Sequence, residues 1–219
     1  MLDSTTQAVT PVDDLSMVIP ADTLRAIGRG SRKDGRRRVK TWIDLQRNLH
    51  PISGPTEKPD NVRVAVQRDE EALLRLMMLD VQENAASISE PSPDRVLHHI
   101  RDATRRRGSI NGVIDGPDGT PVASVHLAPF QPWYSNAFSL QEVWNFVHPA
   151  YRASKYADSL MKFARWCSDD MSTNFGYRVY LYQGVTTKDD VWPKVAYYSR
   201  HSNFMGAFFI YPDVGGNGR

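Results

Sequence analysis

Three polar residues, Arg152, Ser154 and Lys155, stand where an apolar run gives way to the start of a helix. The first turn of a helix has unpaired backbone N–H groups and about half a positive charge, so it receives phosphate readily. Two cationic side chains and a hydroxyl would add charge and a further donor. The pattern therefore predicts a site for a phosphate-bearing ligand. A serine N-cap beside a surface pair of basic residues would leave the same pattern, because short phosphate motifs often match by chance.

The composition is that of a globular protein with one sizeable core and an appendage. The chain has 219 residues, of which 41% are hydrophobic, and its net charge of +2 makes any charge argument a local one. A single cysteine, Cys167, excludes an intramolecular disulfide and suits a reducing compartment. Neither a secretory signal nor an apolar stretch near the roughly 20 residues of a spanning helix is present. We therefore expect a cytoplasmic protein without membrane contact.

The first part of the chain, residues 1–61, is interpreted as an extended basic N-terminal arm, partly disordered or bound by a partner. Its run GRGSRKDGRRRVK at 28–40 holds seven basic residues against one acidic residue, Asp34. Such clusters bind nucleic acid or acidic proteins by neutralising charge and releasing counterions. A solvated tail is the alternative, and it is slightly favoured because no aromatic stacking residues are interleaved with the charges.

From residue 62 the apolar residues recur at strand and helix periods. Asp69 and Ser92 are the predicted caps of two successive helices, and the Asp-Gly pairs at 115–116 and 118–119 predict a hairpin. The other predicted elements are strands at 62–67, 139–147, 177–185 and 207–212, a helix from Ser154 to about Met171, and a mostly helical segment at 191–202. The order indicates an α+β or α/β domain over 62–212 with a predominantly antiparallel start, followed by a flexible tail at 213–219.

This order and the strand-to-helix junction resemble the GNAT superfamily of acyl-CoA-dependent N-acyltransferases. In that family the fourth strand ends in V-x-P-x-Y-R, and the loop Q/R-x-x-G-x-G/A opens the next helix. Here VHPAYR at 147–152 matches the strand end, while RASKYA at 152–157 matches the loop except that Lys155 replaces its central glycine. The segment AYYSRHSNF at 196–204 resembles the family's A-x-x-Y-x-x-x-G-F region, with Asn203 in the glycine place and one extra residue after Tyr198.

The resemblance implies a GNAT-type mixed sheet flanked by helices, with acetyl-CoA as co-substrate. The backbone of Phe146 and Val147 would pair with the pantetheine arm in strand fashion. The pyrophosphate-binding residues that it implies are Arg152, Ala153, Ser154, Lys155, Tyr156 and Ala157. Glycine normally lets the backbone approach the phosphates in such a loop. The side chain of Lys155 therefore either pairs with a phosphate or blocks the pocket.

Acyl transfer to an amine needs a base for the amine and an acid for the leaving thiolate. Glu142, on the strand before the junction, is the best placed carboxylate for the base, acting directly or through water. Tyr198 is the acid that the resemblance implies. Strict alternation would put Glu142, Trp144 and Phe146 on one face of the strand. The alternatives are a solvated strand residue for Glu142 and simple helix packing for Tyr198.

Two functional hypotheses follow. The first is acetyl-CoA-dependent transfer of an acyl group to a primary amine that the sequence does not identify. The second is a catalytically inactive GNAT-fold binding or structural protein, docked through residues 1–61 in a larger assembly. Some bacteriophage-encoded acetyltransferase-like proteins show the same looser motifs, which adds a phage particle to the cytoplasm as a setting. Homo-oligomers remain open in either case.

Other chemistry has weaker support in the sequence. The six histidines lack metal-ligand spacing, so we expect no metal site, and no P-loop motif is present. Cys167 lies on the apolar stripe of its helix, where packing is favoured over a nucleophile. The aromatic-rich loop at 129–138 fits either the mouth of a substrate site or a cover over the core edge.

Overall fold

The computed structural model describes residues 56–84, 90–185 and 192–199. The predicted strand at 207–212, the tail at 213–219 and the basic run at 28–40 lie outside these ranges. Within them the protein forms a single mixed sheet with helices on both faces, which confirms the predicted α+β fold class.

In the described residues the sheet has five strands, in the order β1-β2-β3-β4-β5. The first three pairings are antiparallel and the last, between β4 and β5, is parallel. The predicted hairpin joins β2 to β3, and Gly119 supplies the positive φ of 77° that its turn requires. The strand bounds are β1 Arg63–Val64, β2 Ile110–Asp115, β3 Pro121–Phe130, β4 Ser139–Val147 and β5 Leu181–Tyr182.

The described part of the chain has four α-helices: α1 Glu70–Asn84, α2 Pro93–Thr104, α3 Tyr156–Phe175 and α4 Trp192–Ser199. Ser92 caps α2 as predicted, its hydroxyl accepting from the Arg95 N–H at 3.4 Å. Asp69 instead closes the turn before α1, accepting from the Val66 N–H at 2.8 Å. The helix α3 begins two residues later than predicted and ends at Gly176, which adopts the left-handed conformation common at helix ends. None of the described helices is both long and apolar enough to cross a membrane.

Each face of the sheet has its own hydrophobic core. The helix α3 packs on one face, where Phe163 lies so close to Gly112 that a Cβ there would sit 2.5 Å from its ring. Cys167 is fully buried in this core, in agreement with the packing interpretation. On the opposite face α1 and α2 pack against Val113 and Phe146. The sheet is thus the middle layer of three, and a side chain on β4 can reach either core.

The strand β4 contains a bulge that overturns the expectation of strict alternation. His126 pairs with Trp144 whereas the next residue, Leu127, pairs with Glu142, so Val143 is an extra residue on β4. An extra residue reverses the faces of everything beyond it. Glu142 therefore lies on the α3 face, while Trp144 and Phe146 lie on the α1–α2 face with the second core.

The strands β4 and β5 separate just beyond this point. Among the described residues, β4 and β5 pair at Leu140 with Leu181 and at Gln141 with Tyr182. The predicted strand at 177–185 is therefore much shorter than expected. From Glu142 to Val147 the second edge of β4 has no strand partner in the described part of the chain. At its far end the Val147 carbonyl accepts a hydrogen bond from Arg152 Nε at 3.4 Å.

Candidate active site

The structure brings together Glu142 and Tyr198, which lie 56 residues apart in the sequence. Glu142 is only 6% exposed, at the point where β4 and β5 separate. The Tyr198 hydroxyl donates to its Oε1 at 2.5 Å, and Gln183 Nε2 donates to its Oε2 at 2.7 Å. The alternative of a solvated strand residue is therefore wrong for Glu142, because its carboxylate is enclosed and hydrogen-bonded.

The environment of the pair raises the pKa of both groups. Burial raises the pKa of Glu142, and hydrogen bonds from Tyr198, Gln183 and Asn145 offset part of that rise. Burial and the neighbouring charge of Glu142 raise the pKa of Tyr198 well above its usual range. A carboxylate with a raised pKa is a stronger base, while the tyrosine keeps its proton at neutral pH and can donate it.

Two residues of this cluster, Asn145 and Gln183, were not predicted from the sequence. The bulge at Val143 returns Asn145 to the face of Glu142, where alternation alone would place it on the other face. Gln183 follows the short strand β5 and also contacts Met161 Sδ at 3.1 Å. A bulge has no reliable sequence signal of its own, so neither position could be assigned from the pattern.

The helix α4 is held in place by contacts with three different elements. Besides Tyr198, the hydroxyl of Tyr197 donates to Asp158 Oδ1 in the first turn of α3 at 2.7 Å. Lys194 Nζ donates to Asn84 Oδ1 at the end of α1 at 3.3 Å. The tyrosine hydroxyl at the carboxylate is therefore carried by a helix anchored at α1, β4 and α3.

The predicted phosphate-binding residues lie at the start of α3, beyond the other end of the open edge of β4. The N–H groups of the first turn have no partners within the helix. The N–H of Tyr156 donates instead to Ser154 Oγ, just before the helix, at 3.2 Å. Lys155 is the exposed N-cap residue, and its side chain makes no hydrogen bond or ion pair within 56–84, 90–185 and 192–199. Asp158 in the same turn accepts a hydrogen bond from the Tyr197 hydroxyl. The turn therefore presents backbone donors together with the ammonium of Lys155, which has no partner among the residues that the structure describes.

The side chain of Arg152 contacts residues outside the first turn of α3. Its Nη2 is 2.5 Å from Glu83 Oε2 on α1, and its guanidinium lies 5.5 Å from the centre of the Phe146 ring. Both partners are on the α1–α2 side of the sheet. The structure thus brings Ser154 and Lys155 to the first turn of α3 but pairs the arginine of the motif with a carboxylate.

Comparisons with known proteins bear on this geometry. Neither the protein-family models nor the curated proteins contain a match to the sequence. Many solved structures share the fold. A possible acetyltransferase from Clostridium difficile 630 superposes with a TM-score of 0.52 at 14% identity, covering 68% of this chain and 93% of that one. A predicted acetyltransferase from Clostridium acetobutylicum, solved with acetyl-CoA, gives a TM-score of 0.50 at 11% identity over 68% and 94% of the two chains.

A probable acetyltransferase gives a TM-score of 0.50 at 16% identity, covering 68% of this chain and 94% of that chain. The chain therefore has the GNAT acetyltransferase fold, as the sequence resemblance predicts.

Proposed function

We propose that the protein is an acetyl-CoA-dependent N-acyltransferase that acts on a primary amine. The observation that carries the proposal is the hydrogen bond between Tyr198 and Glu142 at the point where β4 and β5 separate. A base and an acid in direct contact, beside an open strand edge, are the groups that this reaction needs. The fold supports the proposal, since a neighbour of the same fold was solved with acetyl-CoA.

The residues present fit acetyl-CoA along the open edge of β4. The pyrophosphate would bind at the first turn of α3, where backbone N–H groups, the Ser154 hydroxyl and the Lys155 ammonium can donate. The backbone at Phe146 and Val147 would bind the pantetheine arm, with the Val147 carbonyl exchanging its present hydrogen bond from Arg152 Nε, 3.4 Å away, for one from the ligand. The bound co-substrate supplies an activated thioester carbonyl. Its acyl end would lie toward Glu142, at the opposite end of the edge from α3.

The reaction then needs two proton transfers, one from the attacking amine and one to the leaving sulfur. Glu142 accepts a proton from the attacking amine as the nitrogen–carbon bond forms. Tyr198 donates its hydroxyl proton to the sulfur as the carbon–sulfur bond breaks. The proton on Glu142 then passes to the tyrosine oxygen through their hydrogen bond of 2.5 Å. The amine has lost one proton, the thiol has gained one, and both side chains return to their starting states.

The inactive alternative is not favoured by this geometry. Enclosing a carboxylate at 6% exposure costs free energy, because its charged form is taken out of water. A fold kept only for binding gains nothing from that cost, whereas a base needs it.

A turnover assay tests the proposal directly. Purified protein is incubated with acetyl-CoA and a panel of primary amines, and free thiol is followed with a thiol-reactive dye. We expect amine-dependent release of CoA by the native chain and its loss in the Glu142→Gln variant. Equal rates for the two proteins would show that the release is not catalysed at this site. Binding of acetyl-CoA without turnover on any amine would point to the inactive alternative.

A further inference from the structure

An aromatic surface lies beside the site on the opposite face of the sheet. Its four residues are Phe130, Trp133, Tyr134 and Tyr182. The rings of Phe130 and Tyr182 meet edge to face at 4.9 Å, and those of Trp133 and Tyr134 at 5.6 Å. The hydroxyls of Tyr134 and Tyr182 are 3.4 Å apart and link the two pairs.

The surface is open to solvent and adjoins a hollow. Trp133 is 96% exposed and Tyr134 is 67% exposed, although both are large aromatic side chains. The loop Gln131–Asn136 lines a concave space of about 450 Å³. This space is a shallow, largely open depression in the surface. Exposed aromatic rings at a hollow are a recognition feature, since ordinary folding would bury them.

The surface and the catalytic pair are connected through neighbouring residues of one strand. Tyr182 is paired with Gln141 at the last rung between β4 and β5, and its ring contacts Phe130. The next residue, Gln183, contacts Glu142 on the α3 face. Successive residues of an extended chain point to opposite faces, so the aromatic surface lies just across the sheet from the carboxylate. The separation of β4 and β5 begins between them.

The composition of the surrounding stretch favours a cation as the occupant. From Pro121 to Val147 the chain has no lysine or arginine, although it has 27 in all, and Glu142 is the one carboxylate of that stretch. Tyrosine and tryptophan faces attract an ammonium group by their quadrupole. The amine that reacts must be neutral to attack, so a cation held by the rings is a second group of the same molecule.

We propose that the aromatic surface binds an ammonium group of the acceptor, and that the preferred acceptors are therefore small molecules with a second amino group. This inference rests on the proposed function and specifies its substrate class. The second ammonium is held on the rings while the neutral amine reaches Glu142 through the gap between β4 and β5.

The first test measures binding without turnover. The protein is labelled with 5-fluorotryptophan, and the Trp133 signal is assigned by its absence from a Trp133→Phe variant. The probes are 1,5-diaminopentane, doubly cationic at neutral pH, and 1,5-pentanediol, a neutral molecule of the same length. We expect a saturable shift of the Trp133 fluorine signal with the diamine and none with the diol. No shift with the diamine, or equal shifts with both, would overturn the proposal.

The second test asks whether the bound cation belongs to the acceptor. We compare 1,5-diaminopentane with pentylamine, which keeps the reacting amine and replaces the other with hydrogen. The native chain should show the lower KM for the diamine, and Trp133→Ala should raise that KM roughly 2- to 5-fold, as expected for one exposed cation–π contact. In Trp133→Ala the KM for pentylamine and the kcat should stay unchanged. Trp133→Phe should retain most of the preference for the diamine over pentylamine.

These outcomes separate the inference from the proposed function. Acetylation of both amines with equal KM would overturn the inference and leave the acyltransferase in place. A cation-dependent shift at Trp133 without acetylation of the diamine would also overturn it, because the surface would bind cations unrelated to acyl transfer. A Trp133 shift that depends on protein concentration, or that a short oligothymidine produces, would assign the surface to a second copy or to nucleobase stacking instead.

Discussion

The two ends of the open edge of β4 are built differently. At the bulge, Glu142 is enclosed and receives hydrogen bonds from Tyr198 and Gln183. At the first turn of α3, Ser154 and Lys155 are exposed and the main donors are backbone N–H groups. The first end is organised before a substrate arrives, which is what charge development in a transition state requires. The second end, where we propose that the phosphates bind, is exposed and can rearrange around them. Changes at the first should alter rate, and changes at the second should alter affinity.

The largest effect is expected from Glu142→Gln. Glutamine keeps the size of the side chain but cannot accept the amine proton, so kcat should fall by about 10²- to 10³-fold, within the range for loss of a general base. Affinity for acetyl-CoA should change little, because the phosphate end is untouched. Steady-state kinetics measures the kcat, and calorimetry on the same preparation measures the affinity for acetyl-CoA. A fall in affinity that matches the fall in rate would contradict the division between the two ends.

The pH dependence of the native protein's proposed activity tests the same residue without mutation. Burial raises the pKa of Glu142, so kcat should rise with pH through a midpoint above the usual carboxyl value of 4.5. The same raised pKa means that ionising Glu142 destabilises the fold. The Glu142→Gln substitution should therefore raise the free energy of unfolding at neutral pH and leave it unchanged below pH 4. Thermal unfolding at two pH values measures this, and an equal gain at both would contradict it.

A smaller loss, about 10- to 100-fold in kcat, is expected from Tyr198→Phe, since water can protonate a thiolate in its place. The variant also removes a hydrogen bond that lowers the pKa of Glu142. The rising limb of the pH–rate profile should therefore move to higher pH. A profile with its midpoint unchanged would mean that the two groups are not coupled during turnover. Tyr197→Phe is a suitable control, because the Tyr197 hydroxyl donates to Asp158 and not to Glu142.

At the phosphate end, Lys155→Gln should weaken acetyl-CoA binding by about 3- to 10-fold and leave kcat unchanged, as expected for one exposed charge on a phosphate. Lys162, also exposed on α3, offers a matched control in which the same substitution should have no effect. Calorimetric dissociation constants for the two variants decide the point. Tighter binding by Lys155→Gln would show that the lysine obstructs the site.

The smallest effect is expected from Glu83→Gln, which removes the carboxylate that holds Arg152. Both side chains are partly exposed, so the pair is worth little to stability. Releasing the arginine should strengthen acetyl-CoA binding by about 2- to 3-fold. A weaker affinity would show that the ion pair itself shapes the phosphate end. The double variant Glu83→Gln with Arg152→Gln should return the affinity to near the native value.

The fold could be read from the sequence because its signals are local. The Asp-Gly pairs, the serine cap at Ser92 and the strand-to-helix junction each depend on neighbouring residues. The site was predicted only in part. Glu142 and Tyr198 were identified as separate candidates, but their contact depends on how α4 packs across β4. The face of Asn145 depends on a bulge, and the orientation of Arg152 depends on a carboxylate 69 residues away.

The most direct measurement is a calorimetric titration of the full chain with acetyl-CoA and with free CoA. The account predicts micromolar binding of both, since the pyrophosphate and pantetheine contacts are shared. The titration is repeated on Lys155→Gly, which restores the backbone approach at the cost of one charge. An absence of binding by the native chain would contradict the account, and recovery in the glycine variant would then identify the lysine as the cause.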